Sequence, residues 1–378
     1  PMGVPGTRGR GAAIAIALAG VLVCAVVFGA PAGARDERGG AKPPFVFGVV
    51  PQQYLEEGDF QQMGAGGVDS WKLWLAWSAV EYESGQYDWS SYDPQIAAAA
   101  KHGVTPLPYL YGTPAWAASI DGQGCAGAGC IPFAPRSDAT RAAYAGFAAE
   151  AVHRYGPGGS FWAENPDLPY LPVRTWQVWN EQNLPDYFRP QPDVASYAAL
   201  LRPAAAAIRA ADPGAEIVLG GMWGPRSAPR AVIRTTRYLR QLYKQPGARE
   251  SFDAFGIHPY SPKFSGVIDQ IRKLRSVAKR HGDGGVAIWV TEFGWASAGP
   301  KTEPLVKGTR GQARLLKRTY RELLRKRGAW NVRGAYWYAW RDTPSGEAIC
   351  KWCPQSGLYA VDGSPKPAWH KLTALARR

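Results

Sequence analysis

The stretch TWQVWNEQNLPDYF (residues 175–188) carries an apolar run straight into the pair Asn180-Glu181. Strands more often give way to turn residues such as Gly, Asn, Asp or Pro, so a carboxylate at that point asks for a reason. A second stretch, AIWVTEFGWAS (287–297), does the same with Glu292. The two glutamates are 111 positions apart (292 − 181). Whether they meet is a question about the fold.

Outward from these stretches the chain alternates. Residues 45–50, 68–75, 104–111, 174–180, 216–222, 253–258, 287–293 and 334–340 read as short β-rich apolar runs. Helical patterns lie near 91–102, 138–155, 193–211, 229–245, 264–281 and 310–327, with another after Pro367 and a weak one over 52–65. Eight strand–helix units, with strands apolar enough to be covered on both faces, predict the α/β class: a closed, parallel (β/α)8 TIM barrel forming a single domain over 44–378. An open doubly wound sheet would place a Gly-rich phosphate turn after the first strand, and VVPQQYLEEG (49–58) has none.

In such a barrel the reacting groups stand at the C-terminal ends of the strands. Glu181 ends the fourth run and Glu292 the seventh, so both are expected in one mouth. Two facing carboxylates suit cleavage of a glycosidic bond, where one delivers a proton to the leaving oxygen and the other attacks or stabilises the sugar cation. The 16 Trp and 18 Tyr point the same way, since flat rings with polar tips line sugar-binding clefts. A carbohydrate, as oligo- or polysaccharide, is the expected partner.

The N-terminus reads as an export signal. Arg8 and Arg10 precede an apolar stretch from Gly11 to Phe28, and Ala32-Gly33-Ala34 offers an A-x-A cleavage site. Residues 1–34 are therefore expected to be a signal peptide and 35–43 a short linker, the mature protein being secreted with no stable membrane insertion. A retained anchor is the alternative, because about 18 apolar residues approach a spanning length. Export fits the cysteines. Cys125 and Cys130 in GCAGAGCIP, and Cys350 and Cys353 in ICKWCPQ, suggest two local disulfides; cross-pairing and a four-thiolate zinc site stay open.

The net charge of +14 gathers in 226–249, 263–280 and 310–327, the last holding eight basic residues against Glu322 alone. These are helical stretches, which in a barrel form the outer ring. The expectation is a solvated basic exterior with long-range attraction to anionic cell-wall polymers, and no nucleic-acid binding. No His/Asp/Glu cluster has metal-ligand spacing and no G-x-S-x-G elbow occurs, so no metal or other cofactor is expected. His102, His153, His281 and His370 read as surface or packing residues. The protein is expected to be a monomer.

WNE (179–181), HPY (258–260), TEFGW (291–295) and WLAWSAVEYESGQYDWSSYD (74–93) together resemble the clan A retaining glycoside hydrolases of the cellulase-like and β-xylosidase-like families. The resemblance runs from about Phe45 to Trp369. It implies Glu181 as general acid/base, Glu292 as nucleophile, and Asn180 on the 2-hydroxyl of the sugar. It also implies His258 and Tyr260 beside the nucleophile, the Tyr hydroxyl donating to Glu292, and Trp337, with Trp340 as neighbour, as a platform under the sugar. Two positions depart from the pattern. Lys72 stands where many members carry Arg, keeping the charge without the planar fork, and Gln182 replaces a frequent Pro, reading as a cap for the following loop.

Two long rim loops, 111–135 and 341–359, hold the cysteine pairs together with Trp116 and Trp352. Either Trp suits stacking on a sugar face or structural packing. A carbohydrate-binding barrel without catalysis and a transglycosylase using the same residues are the competing readings.

Overall fold

Eight parallel strands close on themselves in the order β1 to β8, the ring completed by β8 against β1. The computed structural model describes residues 44–120, 125–224, 228–344 and 350–377. The expected signal peptide and linker, 1–34 and 35–43, lie outside them. The strands are β1 Val46–Val50, β2 Ser70–Ala76, β3 Thr105–Tyr111, β4 Thr175–Val178, β5 Glu216–Met222, β6 Ala254–Ile257, β7 Ala287–Phe293 and β8 Val332–Tyr338. Helices follow them: α1 Glu57–Gly66, α2 Trp77–Val80, α3 Asp93–Lys101, α4 Ala115–Ile120, α5 Asp138–Tyr155, α6 Ser160–Glu164, α7 Val194–Ala211, α8 Thr235–Leu242, α9 Phe264–Arg280, α10 Gly308–Trp330 and α11 Pro367–Ala376. This is the (β/α)8 barrel expected from the alternation.

Strand periodicity divides the apolar residues between two cores. Val50, Leu107, Val218, Ala254, Trp289 and Tyr336 fill the barrel interior. The alternate residues, among them Trp71, Leu219, Phe255, Phe293 and Trp337, face the helices in a larger outer layer. There Tyr320 of α10 stacks on Phe47 of β1, ring centroids 5.2 Å apart, and meets Phe293 of β7 edge-on.

Local sequence sets the helix ends. The Ser137 hydroxyl accepts from the Thr140 backbone N–H at the start of α5, and the Asp193 carboxylate does the same for Ser196 at α7. Gly67 ends α1 in the left-handed region (φ 79°). The weak 52–65 pattern is realised as α1. The 229–245 pattern shortens to α8: the N–H of Val232 turns back to the Pro229 carbonyl, and the Asn183 side chain takes the Ile233 carbonyl, before the helix begins.

The described cysteines pair locally, Cys125 with Cys130 and Cys350 with Cys353, which closes the cross-pairing and four-thiolate alternatives. Among the described residues no helix is long and apolar enough to cross a membrane.

Candidate active site

The WNE stretch leaves β4 through a contorted backbone. Trp179 and Glu181 both have positive φ (69° and 47°), a conformation that costs a non-glycine residue about 1–2 kcal/mol. Both neighbouring strands hold it there. The Trp179 N–H donates to the Leu110 carbonyl of β3, and the Glu181 N–H to the Gly221 carbonyl of β5, each at 3.0 Å. Gln182, fully buried, donates from Nε2 to the Gly220 carbonyl. Its role is thus to tie the loop to β5, not to cap the loop itself.

Glycine matters at one point of this scaffold. A methyl on Gly221 would overlap the His258 ring nitrogen and crowd the Thr291 hydroxyl. The bare backbone of β5 lets the imidazole lie flat beside it, between the two glutamates.

The resulting cluster draws on β2, β4, β6 and β7. Lys72 Nζ, 1% exposed at the side chain, donates to Glu292 Oε1 at 2.6 Å and to Asn180 Oδ1 at 2.9 Å. The Tyr260 hydroxyl donates to Glu292 Oε2 at 2.9 Å. His258 Nδ1 is 2.8 Å from Glu181 Oε1, and its Nε2 is 3.5 Å from both Lys72 Nζ and Glu292 Oε1. Nδ1 faces the Glu181 carboxyl oxygen and donates to it. Asn180 Oδ1 also accepts from Gln177 Nε2 at 3.3 Å. With its oxygen taken twice, the amide has Nδ2 left to offer to the cleft.

The two carboxylates are driven apart in acidity. Burial raises the pKa of Glu181, aided by the charge of Glu292, and the hydrogen bond and charge of His258 only partly oppose it. Burial pushes Glu292 up as well, but His258, Lys72 and the Tyr260 hydroxyl together outweigh it and hold Glu292 below the usual carboxylate range. Burial and the Glu292 charge in turn keep Tyr260 protonated, its pKa far above the phenolic value. One oxygen of each carboxylate lies within 4.8 Å of the other.

Glu181, His258 and Glu292 also form a donor set in space, one ligand atom from each within 4.8 Å of the others, which linear spacing could not reveal. The place of a cation beside Glu292 is already filled. Lys72 brings its ammonium to 2.6 Å from Glu292 Oε1 and 3.5 Å from the His258 ring, so a metal would have to displace a buried charge.

The expected platform needs correction. Trp337 and Trp340 are fully buried. Trp337 lies on the outward parity of β8, edge-on to Phe293 and bonded to the Ser356 carbonyl. Trp340 packs among Tyr359 and Trp369 and donates to Asp59 of α1. Because side chains alternate, the inward neighbour is Tyr338, one turn of the pleat above Tyr336. Tyr338 is half-buried, meets Tyr260 edge-on at 6.2 Å and donates to Gln52. Counting parity from the interior residue Tyr336 would have found it.

The rim tryptophans separate. Trp116 packs edge-on against Trp77 and donates to the Glu81 carbonyl, a structural position. Trp352, in the loop closed by Cys350–Cys353, lies 5.2 Å from the Tyr260 ring and 5.7 Å from Tyr338, completing an aromatic wall beside Glu292. The four remaining histidines stay away from this mouth: His102 near Glu57, His153 near Glu150, His281 stacked on Tyr243, and His370 exposed on α11.

No protein-family model matches the chain, and neither does any curated protein. Solved structures do. A family 39 glycoside hydrolase from the gut symbiont Bacteroides cellulosilyticus WH2 superposes with a TM-score of 0.64 at 23% identity, covering 88% of this chain and 63% of its own. A monomeric β-xylosidase from Caulobacter crescentus CB15 gives 0.62 at 18% identity over 88% and 67%, and the family 39 enzyme of Xanthomonas axonopodis pv. citri 0.61 at 17% over 88% and 66%. The chain thus spans less than two thirds of the first of these proteins and about two thirds of the others. What it shares with them is the fold, a closed (β/α)8 barrel.

Proposed function

We propose that the chain is a secreted retaining glycoside hydrolase acting on an oligo- or polysaccharide, with Glu181 as general acid/base and Glu292 as nucleophile. One observation carries the reading: two carboxylates, Glu181 buried and Glu292 largely so, with an oxygen of each within 4.8 Å of the other, are shifted in opposite directions by their surroundings. Identical side chains so placed do opposite jobs. The spacing favours a double displacement, in which the carboxyl groups stand about 5–5.5 Å apart, over the about 6.5–9.5 Å of an inverting enzyme.

In the first step Glu292, ionised, attacks the anomeric carbon while Glu181 gives its proton to the departing oxygen, and the glycosidic bond breaks. Glu181 Oε1 accepts from His258, so Oε2 carries that proton. In the second step Glu181, now ionised, takes a proton from water, whose oxygen displaces Glu292 and releases the sugar with its original anomeric configuration. Asn180 Nδ2 is placed for the 2-hydroxyl, and Tyr338 takes the platform role under the ring. Export is supported by the two disulfides, which persist in oxidising compartments.

Sugar release from a panel of polysaccharides and aryl glycosides, wild type beside Glu292→Ala, tests the reading. Release by wild type alone supports it, and NMR of the first-formed anomer tests retention. Inverted product would refute the double displacement; silence of the wild type across the panel would refute the activity.

A further inference from the structure

The strongest concentration of charge lies on the outside of the barrel. Arg310, Arg314, Arg318, Arg321 and Arg325 recur along α10 at steps of three and four, which puts them on one face over about 22 Å of helix (15 residues at about 1.5 Å). This face opens on a groove of about 720 Å³ between α9, α10 and α11. Lys317 and Lys371 add to its walls, while Phe264, Ala313 and Pro367 contribute apolar surface. The only carboxylate lining it among the described residues, Glu322, is taken by Arg325 at 2.5 Å. Among the described residues, Arg310, Arg314, Lys317, Arg321 and Lys371 have no carboxylate within ion-pair distance. All but Lys317 are exposed. The Arg318 guanidinium lies over the Phe264 ring, 4.1 Å from its centroid.

Like charges at such spacing repel and destabilise a helix by a few tenths of a kcal/mol per pair. Ordinary solubility needs no such stripe, since mixed signs serve it as well. The neighbouring groove between α8 and α9, about 850 Å³, is also basic but more sparsely so: Arg234, Arg240, Lys273 and Arg280 line it, with Lys273 paired to Asp269 at 2.5 Å.

We infer that the α9–α10–α11 groove binds an anionic polysaccharide carrying carboxylates, at a site separate from the barrel mouth. Planar guanidinium groups match carboxylates in two-point geometry. Successive arginines at about 5–6 Å offer a repeating cation to a repeating anion. Exposed Pro367 and half-buried Phe264 give the C–H faces of sugar rings some apolar surface to lie against, which a phosphodiester backbone would not use. The groove would hold the protein on an acidic glycan matrix whatever the mouth cleaves.

The test is retention of the whole protein on immobilised polygalacturonate across a salt series, with neutral dextran as the reference matrix. Binding is read without turnover, so its failure and a failure of the glycosidase reading are separate results. Wild type should bind polygalacturonate and not dextran. The triple variant Arg310→Ser/Arg314→Ser/Arg321→Ser should bind at least about tenfold more weakly, with the slope of log K on log salt smaller by about 2, three lost contacts at about 0.7 each. Circular dichroism checks that the variant is folded. A control triple, Arg230→Ser/Arg237→Ser/Arg240→Ser, removes equal charge near α8 and should keep most of the affinity. Equal losses in the two triples would overturn the groove in favour of net charge alone, as would unchanged binding in the first. Tighter binding to duplex DNA than to polygalacturonate at matched salt would overturn the glycan as its occupant.

Discussion

Lys72 and Glu292 form an ion pair inside the barrel, Nζ to Oε1 2.6 Å, with side chains 1% and 15% exposed. An ammonium so enclosed is compensated by the groups around it: Glu292, Asn180 Oδ1 and the face of Tyr109, 4.4 Å away. The pair couples the acidity of Glu292 to a residue on the far side of the ring.

Lys72→Met should therefore move the pH profile. On the proposed roles Glu292 must be ionised to attack; its pKa is held below the ordinary value, so activity should persist as pH falls and be lost only through that depressed pKa. Without the ammonium the pKa rises and the acidic limb shifts to higher pH. A charged hydrogen bond of about 1.5–3 kcal/mol corresponds to roughly a 10- to 150-fold fall in kcat/KM at neutral pH. Lys72→Arg keeps the charge and should shift the limb less. An unmoved limb in Lys72→Met would show that this contact does not set the acidity.

On the proposed roles the alkaline limb belongs to Glu181. Its raised pKa keeps it protonated above the usual carboxylate range, and activity falls as pH climbs through that value. Glu181→Ala should slow natural substrates by about 10²–10⁴-fold while sparing formation of the glycosyl-enzyme from aryl glycosides whose leaving group needs no proton. Glu292→Ala should abolish turnover of both. Identical behaviour of the two variants on the two substrate kinds would reverse or remove the assigned roles.

Adjacent aromatics on β8 should give opposite phenotypes. Trp337→Ala opens a cavity in the outer layer and should cost about 3–5 kcal/mol of stability, seen as a fall in Tm. Tyr338→Ala touches the mouth, and loss of an aromatic contact worth about 0.5–1.5 kcal/mol should raise KM by roughly 2- to 10-fold with a smaller change in Tm. The reverse pattern would mean that the parity of β8 is misread.

Gly221→Ala is the smallest change expected to disturb the centre. The added methyl overlaps His258 and crowds Thr291, and overpacking costs about 1–3 kcal/mol. His258 must then move off Glu181, so kcat should fall although no reacting residue is altered. A fully active, equally stable variant would show that β5 has slack here.

The barrel and its two glutamates were legible because apolar runs and their terminal residues are local signals, and the barrel itself says where strand ends converge. The Tyr260–Glu292 bond followed from the HPY and TEFGW motifs. The proposed aromatic platform was not legible by motif alone: tryptophan is the more conspicuous residue, yet one step along a strand reverses which side a side chain faces, so Trp337 falls on the packing side, while Trp340 lies past the end of β8 and packs on Tyr359 and Trp369. The short helices α2, α4 and α6 span four to six residues, too few for a period to show. The triangle of Glu181, His258 and Glu292 draws on three strands, so no linear spacing could display it.

Ring closure has a consequence for assembly. β1 reaches β8 through the register Val46–Gly334 to Val50–Tyr338, a pairing between the two ends of the described chain, while Glu181 belongs to the first four strands and Glu292 to the last four. Local helices can form early, but contacts so distant in sequence come late. Neither half of the molecule carries both glutamates, so in a refolding experiment recovery of the proposed activity would report the joining of the halves and would trail the return of helical signal.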